Sequence, residues 1–414
     1  MKFLLALCLV ATAFCLEGAL NSILRSPKET LQLYSDFKSK ESLQFGLNED
    51  RMRFRLFRKN AQFVADANSM GDSAVFALNF FSAMTTGERQ QYLGLNVTGH
   101  EANPTFSASA GFQAPAEKLW VKEGAVTAIK NQGACGSCWT FGAVGGLETR
   151  YQQMSGKLRD FAEQEYLDCV YEGSRDGCGS GWPDDCYDYS KNAGGRLAST
   201  ANYGYTASDS SCRGSSKPDA MVAYKITGYT SVGSSESANI EALATGSLSV
   251  AFEVTNYFHQ YSSGILRDTT CTGPPNHAVT AVGYNSNFVL VKNSWGGNWG
   301  DHGFVKFSRY YGNCGLFKFS SYPRLQSTGA SDTTPSDAAT DYIPSDDDDV
   351  NPEPNPGPVC EDDAPYQCFP LYCQWDDIAV KYCRKTCNRC GDNGACPSGT
   401  IRCDDGVCRH EHMC

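Results

Sequence analysis

Apolar and polar positions follow two different periods along the chain. Between residues 139 and 154 apolar side chains recur at Val144, Leu147, Tyr151 and Met154, the spacing of one helix face, and Gly156 supplies a stop signal. Glu49, Arg53, Phe57, Asn60, Val64 and Asn68 follow one another at intervals of four, four, three, four and four, which keeps them on one side of a second helix. Beyond residue 224 the pattern changes to short β-rich runs at 248–254, 278–284, 288–293 and 303–307. Residues 120–212 therefore read as a helical half with Gly-rich loops, and 224–322 as a β half. An α+β body follows, with a cleft between the halves where a substrate would bind.

The ends of the chain have other characters. Residues 1–15 carry Lys2, an apolar stretch from Phe3 to Val10 and small residues after it. That is a secretory signal peptide, too short to anchor stably across a membrane. No other apolar run approaches membrane-spanning length. Residues 326–359 are rich in Ser, Thr, Asp and Pro, including Asp346 to Asp349 and Pro352, Pro354, Pro356 and Pro358. Such a segment reads as an extended, self-repelling linker.

At 414 residues the chain is long enough for two or more domains. The net charge of −11 is uneven. Residues 114–325 hold 18 Lys and Arg against 19 Asp and Glu, so that body is nearly neutral, whereas 326–359 hold eight acids and no base. No basic patch points to nucleic acid, and no polybasic segment points to anionic membranes. In a secreted chain the 20 cysteines are best read as disulfides.

One cysteine has another use. Cys138 lies in NQGACGSCWTFG, residues 131–142, and opens the first predicted helix. A thiol attacks only as thiolate, so its ordinary pKa of about 8.5 must be lowered; the positive end of a helix dipole favours the anion. His277 starts a strand-like run and can hold the proton given up by Cys138. Asn293 ends another and can orient that imidazole, while Trp295 can shield the bond between them. Gln132 can aim a side-chain amide at the point reached by the Cys138 backbone N–H, making an oxyanion hole. Cys135 and Cys138 also form a CxxC, which alone would suit a redox pair, and a lone His277 would usually be structural.

With Gln132, Cys138, His277, Asn293 and Trp295 in that order, residues 114–325 resemble a papain/cathepsin L-type cysteine protease of family C1. The resemblance implies a two-lobed fold, a helical lobe plus an antiparallel β-barrel lobe. It assigns Gln132 to the oxyanion hole, Cys138 as nucleophile, His277 as base and acid, Asn293 as orienter and Trp295 as shield. It implies disulfides Cys135–Cys178, Cys169–Cys212 and Cys271–Cys314, leaving Cys186 unassigned. It lines the pocket for the substrate residue one step before the scissile residue with Trp182, Pro183, Ala251, Ala278 and Phe319. All five are apolar, so Leu or Val is expected there over Arg. No long insertion follows Cys178, which favours an endopeptidase, and neither cofactor nor metal is implied.

The helix bearing Glu49, Arg53, Phe57, Asn60, Val64 and Asn68 resembles the ERFNIN helix of cathepsin L-type propeptides, with Val64 where Ile is usual. Asn79 and Phe81, followed by MTTGE, resemble the second propeptide motif, with Ala77 and Ala83 in place of Gly and Asp. Residues 16–113 therefore read as an inhibitory propeptide, with a possible glycosylation sequon at Asn96. Maturation would leave an N-terminus near Ala114. The implied partners are polypeptide substrates, this propeptide and cystatin-type inhibitors.

Cys360, Cys368, Cys373, Cys383, Cys387 and Cys390 resemble a ShK-type toxin domain over 360–390, with implied pairs Cys360–Cys390, Cys368–Cys383 and Cys373–Cys387. So short a module needs staples to fold. Residues 391–414, with Cys396, Cys403, Cys408 and Cys414, resemble the first half of an LDL-receptor class A repeat without its acidic calcium loop. The ligand of this tail is unknown. A non-catalytic secreted binding protein acting through the tail is the alternative to a secreted or lysosomal protease zymogen.

Overall fold

The computed structural model describes residues 20–344 except 96, 98–99, 101–102, 172–176 and 310, together with backbone at 401–402 and 408–409. The signal peptide, Asn96, the ShK-like cysteines and the linker beyond 344 lie outside the described residues, as does most of the receptor-like segment. Within that segment Ile401–Arg402 pairs antiparallel with Cys408–Arg409.

After a helical stretch at 20–25 come two helices, α1 (Pro27–Lys40) and α2 (Leu47–Ser69). Ser26 caps α1 by accepting from the Glu29 N–H, and Pro27 occupies the first turn, where its missing N–H costs nothing. The six spaced residues of α2 use their common face. Phe57 packs its ring against Tyr34 and Phe37 of α1 at 5.1 and 4.9 Å. Asn60 donates to the Ser82 carbonyl at 2.8 Å, and Asn68 brackets the backbone of Phe76. After β1 (Val75–Phe76) comes a 3-10 turn, Phe80–Ala83, capped by Asn79, and then α3 (Thr86–Gln90). Glu88 of α3 ion-pairs with Arg53 of α2. Arg53 also donates from Nη1 to the Ala83 carbonyl at 3.1 Å.

The body holds α4 (Cys138–Ser155), α5 (Glu163–Cys169) and α6 (Pro183–Asn192), with α7 (Glu236–Leu243) and α8 (Asn256–His259) farther along. Its strands are β2 (Lys118–Leu119), β3 (Tyr224–Val232), β4 (Leu248–Phe252), β5 (Tyr261–Ser263) and β6 (Ile265–Leu266), then β7 (His277–Tyr284), β8 (Phe288–Lys292), β9 (Phe304–Ser308) and β10 (Phe319–Ser327). Eight of them form one sheet in the order β3-β10-β4-β7-β8-β9-β6, with β2 joined to β7. All pairs in that sheet are antiparallel except β6 with β9. At Gly283 the backbone is in the left-handed half of φ space, and a Cβ would run into β2, so β2 can join only beside a glycine.

Helix α4 was expected to show one apolar face. Instead it is buried from Cys138 through Tyr151, and Met154 is exposed. Gly142, Gly145 and Gly146 make this possible, because they let the helix lie close against β4, β7 and Tyr187 of α6. A Cβ on Gly145 would overlap the Thr280 side chain of β7. The close approach seats the N-terminus of α4 beside the start of β7.

Residues 327–344 differ from the extended linker expected of them. Asp332 is buried and ion-pairs with Arg159, Thr340 N donates to the Val126 carbonyl at 2.8 Å, and Tyr342 stacks on Phe304 at 4.2 Å. Polar composition hid a few well-placed anchors, and this part of the segment is strapped to the body.

Candidate active site

Disulfides join Cys135 to Cys178, Cys169 to Cys212 and Cys271 to Cys314, while Cys138 and Cys186 are free and buried. The first bridge removes Cys135 as a redox partner for Cys138 and fixes the loop preceding α4, where Gly136 N also donates to the Cys178 carbonyl at 2.8 Å. Cys138 is the first residue of α4. The backbone N–H of Ala278 points at its sulfur, so His277 is the immediate neighbour on β7.

His277 and Asn293 come together because β7 and β8 are adjacent, pairing Thr280 with Lys292. His277 Nε2 lies 2.9 Å from Asn293 Oδ1, and its Nδ1 is buried with no hydrogen-bond partner. The Trp295 ring sits 4.8 Å from the imidazole and covers it. Gln132 is anchored by Ser294, whose hydroxyl donates to Gln132 Oε1 at 2.7 Å. Its Nε2 donates to the carbonyls of Cys135 at 2.8 Å and Tyr92 at 3.1 Å. His277, Asn293 and Trp295 therefore cluster on one side and Gln132 and Cys138 on the neighbouring elements, with no hydrogen bond between His277 Nδ1 and the Cys138 sulfur in this closed form.

A stretch of the pro-segment lies against Gln132 and Cys138. Tyr92 gives its carbonyl to Gln132, and Gly94 N donates to the Cys138 sulfur at 3.4 Å. Gly94 O accepts from Gly181 N at 2.9 Å, while Leu95 is buried in a core shared with Trp182, Ala251 and Ala278. Past this point Thr105 N donates to the Ser231 carbonyl at 2.8 Å, and Ser109 binds the Glu241 carboxylate.

Covering the site reverses the expected electrostatics. Burial pushes the Cys138 thiol up to about 11 despite the N–H groups of Ala278, Gly94 and Trp139 that favour its anion. Burial likewise pushes the His277 imidazole down to about 4, against the bond from Asn293. The lowered thiol expected of a helix N-terminus does not hold in this closed form, because the dipole is weaker than the loss of water.

Sequence reasoning missed a buried charge cluster behind the site. Lys130 Nζ lies 3.0 Å from Glu148 and 2.6 Å from Glu163, and Lys292 Nζ donates to Thr127 at 2.7 Å and lies 3.9 Å from Glu148. Glu148 is on α4 with Cys138, and Lys292 precedes Asn293, so the cluster ties nucleophile helix to orienter strand. The hint in the sequence is the lysine that ends the apolar run of β8.

The cavity beside the site measures about 220 Å³, and Trp182, Pro183, Ala251 and Phe319 are among its lining residues. Ala278 packs in the same core but does not line it. The lining also includes Asp184, Asp185, Tyr229, Ser249, Ser320 and Ser321, so the pocket is not wholly apolar. His100 of the pro-segment stacks on Trp182 at 4.6 Å across its mouth.

The comparisons agree with this geometry. Residues 114–324 match the papain family cysteine protease, and residues 34–88 match the cathepsin propeptide inhibitor domain. Chymopapain from Carica papaya is 34% identical over 342 residues, covering 77% of this chain and 95% of its own. Digestive cysteine proteinase 3 from Homarus americanus is 35% identical over 307 residues, covering 70% and 94%. Digestive procathepsin L2 from Tenebrio molitor larval midgut superposes with a TM-score of 0.66 at 29% identity, covering 72% of this chain and all of its own. A recombinant stem bromelain precursor does so at 0.64 and 30% identity, covering 72% and 99%.

Fold and cleft thus define a thiol hydrolase closed by its own N-terminal segment. The chain belongs to the papain family of cysteine proteases, and it is the proprotein form, with an inhibitory propeptide domain.

Proposed function

We propose that this chain is a secretory-pathway zymogen of an endopeptidase whose machinery is Gln132, Cys138, His277, Asn293 and Trp295, released by loss of residues 16–113 and working in an extracellular, digestive or lysosomal compartment. The observation that carries the reading is the contact of the pro-segment with both Gln132 and the Cys138 sulfur: the segment occupies the atoms a substrate would need.

In the opened enzyme His277 Nδ1 takes the thiol proton and the sulfur attacks the substrate carbonyl carbon. Charge on the carbonyl oxygen is met by Gln132 Nε2 and the Cys138 N–H, freed from Tyr92. The imidazolium returns its proton to the departing amine, leaving a thioester. Water, deprotonated by His277, then cleaves the thioester and regenerates the thiol. Asn293 accepts from Nε2 and keeps Nδ1 facing the sulfur throughout, and Trp295 excludes water from that bond. Three disulfides in the body support an oxidising route, and no helix among the described residues is long and apolar enough to cross a membrane. Cystatin-type inhibitors would enter the same cleft. The apolar walls of the pocket favour an apolar stem one step before the scissile residue.

An epoxide thiol-protease inhibitor is expected to label Cys138 after acid processing and not before. Cys138→Ala should fold, keep its propeptide and hydrolyse no peptide. Turnover undiminished in that variant overturns the reading.

A further inference from the structure

The pocket floor departs from the apolar lining that its walls suggest. Asp184 opens the first turn of α6 between the aromatic walls Trp182 and Phe319, whose rings meet edge to face at 5.3 Å. Its carboxylate accepts from the Ser321 hydroxyl and, at 3.3 Å, from Trp182 Nε1. A carboxylate has about four acceptor positions, so two are unfilled. Asp185 is already engaged by the Tyr171 hydroxyl. Among the described residues no Lys or Arg pairs with Asp184.

A second feature bears on the same space. The mouth is occupied in the precursor by His100, an imidazole lying flat on Trp182. Its departure with the pro-segment leaves an aromatic slot leading to a carboxylate, a setting that suits a guanidinium or ammonium with an apolar stem.

We propose that this cavity takes arginine or lysine as the substrate residue one step before the scissile residue, with Asp184 as the residue that determines the choice. This rests on the protease reading above and replaces the expectation of Leu or Val over Arg. Burial pushes the Asp184 carboxyl up to about 6, against the bonds from Ser321 and Trp182, and an entering cation supplies the charge that is otherwise missing. Arginine satisfies more of the site than lysine, since its planar fork can fill both unused acceptor positions of Asp184.

The test uses the enzyme obtained by acid processing of the full-length chain and two peptidyl coumarin amides, differing only in Arg or Leu at that substrate position. The enzyme concentration is fixed by titration with an epoxide inhibitor, so misfolded protein does not count. The wild type should cleave the Arg substrate with kcat/KM at least equal to that for Leu. Asp184→Asn, which keeps acceptors for Ser321 and Trp182, should lower kcat/KM for Arg at least tenfold and change Leu less than twofold. Equal losses on both substrates would mean that Asp184 only supports the fold, and a wild type that cleaves Leu but not Arg also overturns the proposal. If neither substrate is cleaved and the epoxide leaves Cys138 unlabelled, the protease reading fails and this proposal with it.

Discussion

Gly94 N donates to the Cys138 sulfur, and Gly94 approaches Gly136 so closely that a Cβ on it would overlap the Gly136 carbonyl. The inhibitory contact therefore depends on the absence of a side chain. Gly94→Val should lift this stretch out of the cleft and raise the rate of epoxide labelling of the unprocessed precursor at least tenfold. Gly87→Ala, where nothing lies within reach of the added carbon, is the control and should change nothing. Labelling of Gly94→Val no faster than wild type would show that other contacts hold the segment.

Acid should open the precursor through its buried imidazoles. His277 is pushed down to about 4 and His259 to about 3, both first by burial, with Arg89 adding to the effect on His259. Each is therefore neutral when closed and takes up a proton near pH 6.5 when hydrated. Between that value and its closed value the open form binds more protons, so closure weakens as pH falls. His259 lies between Phe81 of the pro-segment, at 4.7 Å, and Trp295. His259→Gln removes one titrating group, and its autoprocessing at pH 5 should slow and its pH profile flatten. Faster processing would mean that the substitution acts by loosening the packing against Phe81.

The Arg53–Glu88 pair should behave in the opposite way. Arg53 holds the Glu88 carboxyl down to about 2, with burial opposing and Thr85 assisting. A depressed carboxylate contributes stability above its unfolded value and loses it only as pH falls toward its folded one, so the pair survives the range in which the imidazoles titrate. Glu88→Gln should speed processing by a similar factor at every pH between 4 and 7, with the shape of the profile unchanged. A change confined to the acidic end would return the switch to this carboxylate.

What could be read from sequence was what chemistry constrains. Cys138, His277, Asn293 and Gln132 stand out because few residue types suit the roles proposed for them, and the spacing of Glu49 to Asn68 survives because a helix face imposes it. The setting of α4 could not be read, since its glycines carry no hydrophobic signal although they decide how closely it meets β7. Asp184 could not be read either. An acidic first turn is favourable for any helix, and only the fold aims this one into a cavity. The burial of Cys138 in the closed form could not be read, because its neighbours in space include a pro-segment that lies far from it in sequence.

The strap at 327–344 gives a test of stability. Arg159 Nη2 lies 2.5 Å from Asp332 Oδ1, the same carboxylate accepts from Tyr151 at 3.1 Å, and neither charge is appreciably exposed. Removing one partner of such a pair leaves an uncompensated buried charge, at a cost of about 3–5 kcal/mol. Asp332→Ala should lower the Tm of the processed catalytic region markedly. A chain ending after Leu325 should fall as far or farther, since it also loses Tyr342 from Phe304. A chain ending after Pro344 should melt with the full-length protein. Equal Tm values for the two truncations would show that the strap lies on the body without stabilising it.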